Sequence, residues 1–175
     1  MDLADTIKMN VEGLTLDPAT KTPIVVLRDA DNKISLPIWI GVLEATAIAT
    51  ELENIEMARP MTHDLLQTII GGLDATVEAV EVSDLKDNTF FATIHIKAGD
   101  REMQIDSRPS DALALAIRAK CEIFVAKKVL EQSSTLQKEQ QEEGQEQEQN
   151  LSNVSPEKWA DILDRMTPDD FKYKM

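Results

Sequence analysis

The chain is poor in aromatic rings and almost without cysteine. Its 175 residues include four Phe, two Trp and one Tyr, so a core must be aliphatic, and a hydrophobic content of 42% is enough to build one. The single cysteine, Cys121, cannot form an internal disulfide, which fits a reducing compartment. Placed between Lys120 and Glu122 near the end of an apolar helix, it reads as a small buried or half-buried side chain. No run approaches the ~18 consecutive apolar residues of a membrane span. The opening Met1-Asp2-Leu3-Ala4-Asp5 is acidic and lacks the basic and apolar regions of a signal peptide. The expected location is therefore the cytoplasm, with no membrane contact. Zinc-ligand spacing, a Walker phosphate loop, a nucleophile elbow and a GxGxxG turn are all missing, which removes the chemistry each would signal.

Basic charge is scarce as well. Eighteen Lys and Arg face 32 Asp and Glu, for a net charge of −14. Residues 131–150 carry six Glu and one Lys, and residues 151–175 carry five acids against four bases, so most of the excess lies within the first 130 residues. The broad basic field of a tight phosphate-backbone binder is absent. A local basic groove, or a carboxylate site that approaches phosphate through a cation, stays open.

Three regions follow from composition: a domain over residues 1–132, a Gln/Glu-rich linker over 133–150 and a short tail over 151–175. The linker has no apolar periodicity and too little apolar surface to offset its ordering entropy, so it is expected to be disordered or frayed-helical. In the tail, Ser155-Pro156 reads as a cap with proline at the first helical position, followed by Trp159, Ile162, Leu163 and Met166 at helical spacing. Thr167-Pro168-Asp169-Asp170 repeats the start signal. Such a tail would pack on its own domain, on a neighbouring subunit or on an outside partner.

The domain itself is expected to be α+β: two repeated hairpin or meander units, each followed by a helix, in one compact body. Residues 24–28 and 34–40 form the first hairpin, around an Asp- and Asn-rich turn, and a helix then runs to about residue 57. Sixty-seven positions on, residues 91–96 and 101–105 repeat the hairpin with a loop of the same length, and Glu44-Ala45 overlays Asp111-Ala112. Residues 11–16 and 77–82 are expected as strands leading into each hairpin. Thr62 reads as the cap of an intervening helix that Gly71-Gly72 closes with a left-handed residue. Residues 123–126 form a late strand, and Lys127 begins a short helix.

Three polar clusters interrupt the aliphatic background: Arg59, His63 and Asp64; Asp106, Arg108, Ser110 and Asp111; and Glu44, the repeat partner of Asp111. They sit at helix starts, where free N–H groups and a partial positive charge suit an anion. Their carboxylates could instead hold Mg²⁺ or Ca²⁺, which would polarise a phosphodiester, and His63 could move a proton. The plainer reading is structural. Ser107 or Ser110 would cap a helix started by Pro109, Arg108 would pair with Asp106, and Arg59 with Asp64. His95 falls mid-strand with Thr93 and Lys97, on an expected solvated face.

At these residues the chain resembles the bifunctional nuclease family, found in bacteria and plants. The blocks LPIWIGVLEATAIA (residues 36–49), RPMTHDLL (59–66) and IDSRPSDALALAIR (105–118) carry the resemblance, which covers nearly all of residues 6–130. The terminal DDFKYKM also resembles the ending of some bacterial members, while the Gln/Glu linker stands where others carry a further motif. The resemblance implies nuclease activity on DNA and RNA, an intracellular location and a fold that self-associates, here expected as a homodimer. Block by block, Arg59, His63 and Asp64 match its R-P-M-T-H-D element, Asp106, Arg108, Ser110 and Asp111 its D-x-R-P-S-D element, and Glu44 the acid of its P-I-W-I-G-x-x-E-A element. The resemblance implies no catalytic mechanism. The chemistry of the residues themselves makes His63, Asp64, Asp106, Asp111 and Glu44 the candidate catalytic residues, and Arg59, Arg108 and Ser110 the candidate substrate contacts. A divalent metal is the expected cofactor and nucleic acid the expected partner. The competing expectation is a non-enzymatic regulatory or interaction module, in which the polar corners are structural.

Overall fold

The apolar runs around residues 24–28 and 34–40 form β2 (Pro23–Asp29) and β3 (Ser35–Trp39), which with β1 (Thr6–Leu16) make an antiparallel meander. The structure, a computed structural model, describes residues 4–141 and 149–150. Helices α1 (Val42–Leu52) and α2 (Thr62–Gly72) come next. A second antiparallel meander of β4 (Ala75–Lys86), β5 (Thr89–Ala98) and β6 (Arg101–Ser107) runs into α3 (Pro109–Ala119). The chain continues through β7 (Glu122–Ala126) and α4 (Lys127–Gln141), and a two-residue β8 (Gln149–Asn150) pairs with Thr15 and Leu16. Helix α4 thus enters the stretch expected as a linker. The tail helices expected around Trp159 and Thr167 lie outside the described residues.

The sheet order is β3-β2-β1-β7-β4-β5-β6. Strand β7 joins the two meanders, antiparallel to β1 and parallel to β4. The α+β class holds, with one parallel seam that neither hairpin pattern foretold. The two hairpin loops are not of equal length. Residues 30–34 connect β2 to β3, and Asp29 Oδ1 accepts the N–H groups of Lys33 and Ile34 at 2.8 Å each to hold that wider turn. Only Gly99-Asp100 connects β5 to β6, with Gly99 at φ +60, the sign a type II′ turn needs in its first central position.

Helix ends also differ from the sequence reading. Helix α1 stops five residues short, because Asn54 adopts φ +52, a left-handed conformation asparagine tolerates. Gly71 and Gly72 remain helical, and Asp74 at φ +54 supplies the left-handed residue instead. Helix α3 ends on Lys120 at φ +53, with Cys121 N donating to Ala116 O and Lys120 N to Ile117 O, the paired bonds of a Schellman end.

Residues 112–116 of α3 are all buried, with no more than 1% exposed, so this helix is apolar on every side. It packs between α1 and α2 and over β4, β5 and β7. Alanines at 112, 114 and 116 keep it slim, and Ala45, Ile48 and Ala49 of α1 complete the contact layer. Helix α2, in contrast, has no buried residue, and Leu65, Leu66, Ile69 and Leu73 stay exposed along it. His95 is a correction to the expected solvated face. It is only 6% exposed, with Ala79 and Gln104 beside it on the neighbouring strands and Glu81 Oε2 3.5 Å from its Nε2.

The packing separates two leucines by consequence. Leu113→Ala is expected to cost about 2–5 kcal/mol in denaturant unfolding. Leu65→Ala, on the face of α2 that the chain itself leaves uncovered, should stay within about 0.5 kcal/mol of the parent when both are unfolded at concentrations where the chain is monomeric.

Candidate functional site

Helices α1, α2 and α3 start on Gly41, Met61 and Arg108, each extended and none forming a side-chain cap. Thr62, Ser107 and Ser110 are therefore not the caps that their residue types suggest. Ser107 Oγ donates to Arg108 O at 3.0 Å, and Ser110 is buried in the first turn behind Pro109. Acids serve the helix starts from inside the first turn, where the dipole favours negative charge: Glu44, Asp64 and Asp111. Asp64 Oδ2 accepts the Met61 N–H at 2.8 Å, which is one half of a capping box.

Residues far apart in sequence meet at these starts. Arg108 donates from Nε to Asp111 Oδ2 at 2.7 Å and from Nη2 to Asp111 Oδ1 at 3.2 Å, a two-point grip on one carboxylate. Its Nη1 reaches Glu44 Oε1 at 2.8 Å, across 64 residues. His63 Nε2 lies 3.1 Å from Asp111 Oδ1. The chain of contacts is thus His63, Asp111, Arg108 and Glu44, with one residue from each of α1 and α2 and two from the entry to α3. Glu44 and Asp111 share a single guanidinium. Asp111 and Arg108 are part-exposed, whereas His63 is mostly covered, with 12% of its side chain accessible.

Glu44 is held from behind as well. A Cβ on Gly41 would stand 2.1 Å from Glu44 Oε2, so the carboxylate folds over a position that only glycine leaves open. The I-G-V-L-E spacing of the first block therefore has a steric reason.

Arg118 is a member that the sequence reading did not single out. Its side chain is 3% exposed, and its Nε bonds Asp64 Oδ1 while its Nη1 donates to Ala114 O. Glu51 of α1 lies 3.9 Å away, and Gln67 Nε2 donates to the Arg118 carbonyl. One buried cation so clasps α1, α2 and α3. Arg118 lies two helical turns beyond Asp111, on the same side of an otherwise apolar helix, which is the signal that could have found it. The expected pairs Arg59–Asp64 and Asp106–Arg108 do not form, since Asp64 is taken by Arg118 and Arg108 by Asp111 and Glu44. Arg59 is exposed, with no side-chain hydrogen bond or ion pair among the described residues. Asp106 is exposed on β6 opposite Thr93, beside the chain of contacts but not within it.

Electrostatics fix two protonation states. Burial pushes the Asp111 carboxyl up, but the Arg108 and His63 hydrogen bonds and charges outweigh it and hold the group below the usual carboxylate range. An ionised carboxylate only accepts, so the 3.1 Å contact makes His63 Nε2 the donor to Asp111. Hydrogen bonding to Asp111, set against burial, raises the Arg108 guanidinium even above its ordinary range, so it stays cationic.

The expected metal does not fit this arrangement. The carboxylates closest to one another, Glu44 and Asp111, already face Arg108. Among the described residues no three His, Cys, Asp or Glu side chains are placed to hold a metal ion. A divalent ion at this corner would have to displace the arginine.

The fold and the meeting of three helix starts in one chain of contacts define an α+β domain with an acid–histidine–arginine corner. The family model described as the bifunctional nuclease domain matches residues 25–138, and the chain belongs to that family. An uncharacterized protein of Mycobacterium tuberculosis is 36% identical over 165 residues, covering 94% of this chain and 98% of the relative. Bifunctional nuclease 2 of Oryza sativa subsp. japonica is 28% identical over 120 residues, which is 66% of this chain but 37% of the plant protein. Bifunctional nuclease 2 of Arabidopsis thaliana is 27% identical over 122 residues, 67% of this chain and 37% of its own. No helix among the described residues is long and apolar enough to cross a membrane.

The clasp gives a pH dependence of stability. The Arg118 hydrogen bond, with that from the Met61 N–H, holds the Asp64 carboxyl below its usual range. A depressed carboxylate stabilises the fold above the unfolded-state value near pH 4, and that contribution is lost as pH falls through the folded value. Denaturant titrations between pH 7 and pH 3 should show the parent losing stability more steeply than Asp64→Asn. At pH 7 the variant should be weaker by about 1–3 kcal/mol, because Arg118 is left buried without its nearest acid. Gly41→Ala should fold, since the added methyl meets only the movable end of Glu44. Its stability effect should overlap that of Glu44→Gln, so the double variant shifts the unfolding midpoint by less than the two single shifts combined.

Proposed function

We propose that this chain hydrolyses phosphodiester bonds in DNA and RNA, with His63 and Asp111 as the proton-handling pair and Arg108 as the phosphate contact. The observation that carries the reading is the short path from His63 through Asp111 to Arg108 in a chain of this family. Asp111 holds the imidazole with Nδ1 as its basic atom. A water that gives its proton to the imidazole would attack phosphorus, and the ester P–O bond would break with the departing oxygen taking that proton back from the imidazole. More than half of the Arg108 side chain is exposed, so it can meet a phosphoryl oxygen while it keeps the carboxylates in place. Glu44 sets the orientation of Arg108, and Asp64 acts through Arg118 as a positioning residue. Asp106 and Ser110 flank the corner, and Arg59 would meet the backbone of a longer substrate.

His63→Ala and Asp111→Asn are expected to stay folded and to lose DNase and RNase turnover together, by about 10²-fold or more. Each is compared with the parent from identical purifications. Chelator should leave the parent rate unchanged on this reading, and a rate abolished by chelator would return the carboxylates to the metal role. Equal turnover in parent and variants would point to the second reading, a non-enzymatic interaction module. That reading draws on the net charge of −14 and on the uncovered apolar face of α2. The same face supports self-association as a homodimer, and the cytoplasm is the compartment we propose.

A further inference from the structure

An open cleft of about 450 Å³ lies against Arg108 and Asp111, lined also by Phe90 and Phe91 of β5 and Asp106 of β6. Phe90 packs on the core and Phe91, the next residue along the strand, is the exposed one of the two, so one ring is open beside the proposed phosphate contact. Phe91 is 38% exposed, a large apolar side chain left open to solvent. Lys86 Nζ stands 5.7 Å from the centre of its ring, on a side chain that is itself mostly exposed. The cleft so combines a cation for an anionic group, a part-exposed aromatic ring with Lys86 standing over one face and, at Asp106, an acceptor for amino groups. A nucleotide with its base unpaired offers the complement of all three. A base inside a duplex does not, because its faces are stacked on its neighbours.

We propose that Phe91 is a stacking platform for an unpaired base, so that the site takes single-stranded nucleic acid in preference to duplex. This rests on the nuclease reading of the Arg108 corner. Stacking on one aromatic side chain is worth about 1–3 kcal/mol per base, or roughly 5- to 150-fold in affinity.

The test compares cleavage of one labelled oligonucleotide, single-stranded and annealed, by the full chain and by Phe91→Leu and Phe91→Tyr. Leucine keeps apolar bulk and removes the π face, whereas tyrosine keeps the ring. The expected result is at least tenfold higher kcat/KM on the single strand. Phe91→Leu should lose that advantage through KM with kcat little changed, and Phe91→Tyr should restore it. Quenching of a 2-aminopurine base in a single-stranded oligonucleotide, read with the Asp111→Asn protein and again with Phe91→Leu added, follows stacking without turnover. Equal KM for parent and Phe91→Leu, or equal rates on both substrates, would overturn the platform and leave the nuclease reading in place. No cleavage by the parent, with quenching that disappears in Phe91→Leu, would overturn the nuclease reading and keep the platform as a binding site.

Discussion

One guanidinium sets the geometry on which the polar corner depends. Arg108 grips Asp111 at two points and Glu44 at a third, so the first turns of α1 and α3 are held at a fixed separation. The same contacts keep Asp111 ionised, and through Asp111 they make His63 Nε2 a donor. A planar fork can do this where an ammonium cannot, because it meets two carboxylates along different edges. The second arginine, Arg118, works from the opposite condition. It is buried and meets acids on α1 and α2, which makes it a brace inside the helix layer rather than a surface for a ligand.

Much of the architecture was legible because the residues that build it are periodic. The alternating aliphatic strands, the helix after each hairpin and the buried ALALA run of α3 are local patterns with one good solution. What was not legible lies at boundaries and between segments. Asn54 turns left-handed and ends α1 before the expected boundary near residue 57, and Asp74 takes the left-handed conformation expected of a glycine. The parallel pairing of β7 with β4 depends on which strand edge is open after both meanders form, and no window of sequence contains that information. His95 was misplaced for a related reason, since its burial depends on neighbours contributed by β4 and β6.

The corner divides in the same way. Glu44, His63, Arg108 and Asp111 stood out as polar residues at helix starts, and those four come together. Sequence could not say that Glu44 and Asp111 face one cation, because 64 residues separate Glu44 from Arg108 and 48 separate His63 from Asp111. It paired Asp64 with Arg59 and Arg108 with Asp106 by proximity along the chain, where tertiary packing supplied stronger partners. Arg118 went unnoticed because an arginine near a helix end is ordinarily a solvated residue. Only its register with Asp111 hinted otherwise.

The fork of Arg108, rather than its charge alone, organises the corner. Arg108→Lys tests this most directly, since lysine keeps one positive charge but cannot bridge both carboxylates in the same geometry. DNase and RNase turnover measured beside the thermal midpoint should fall by at least tenfold, with the midpoint shifted by only a few degrees. Turnover in Arg108→Lys equal to that of the parent would contradict the account.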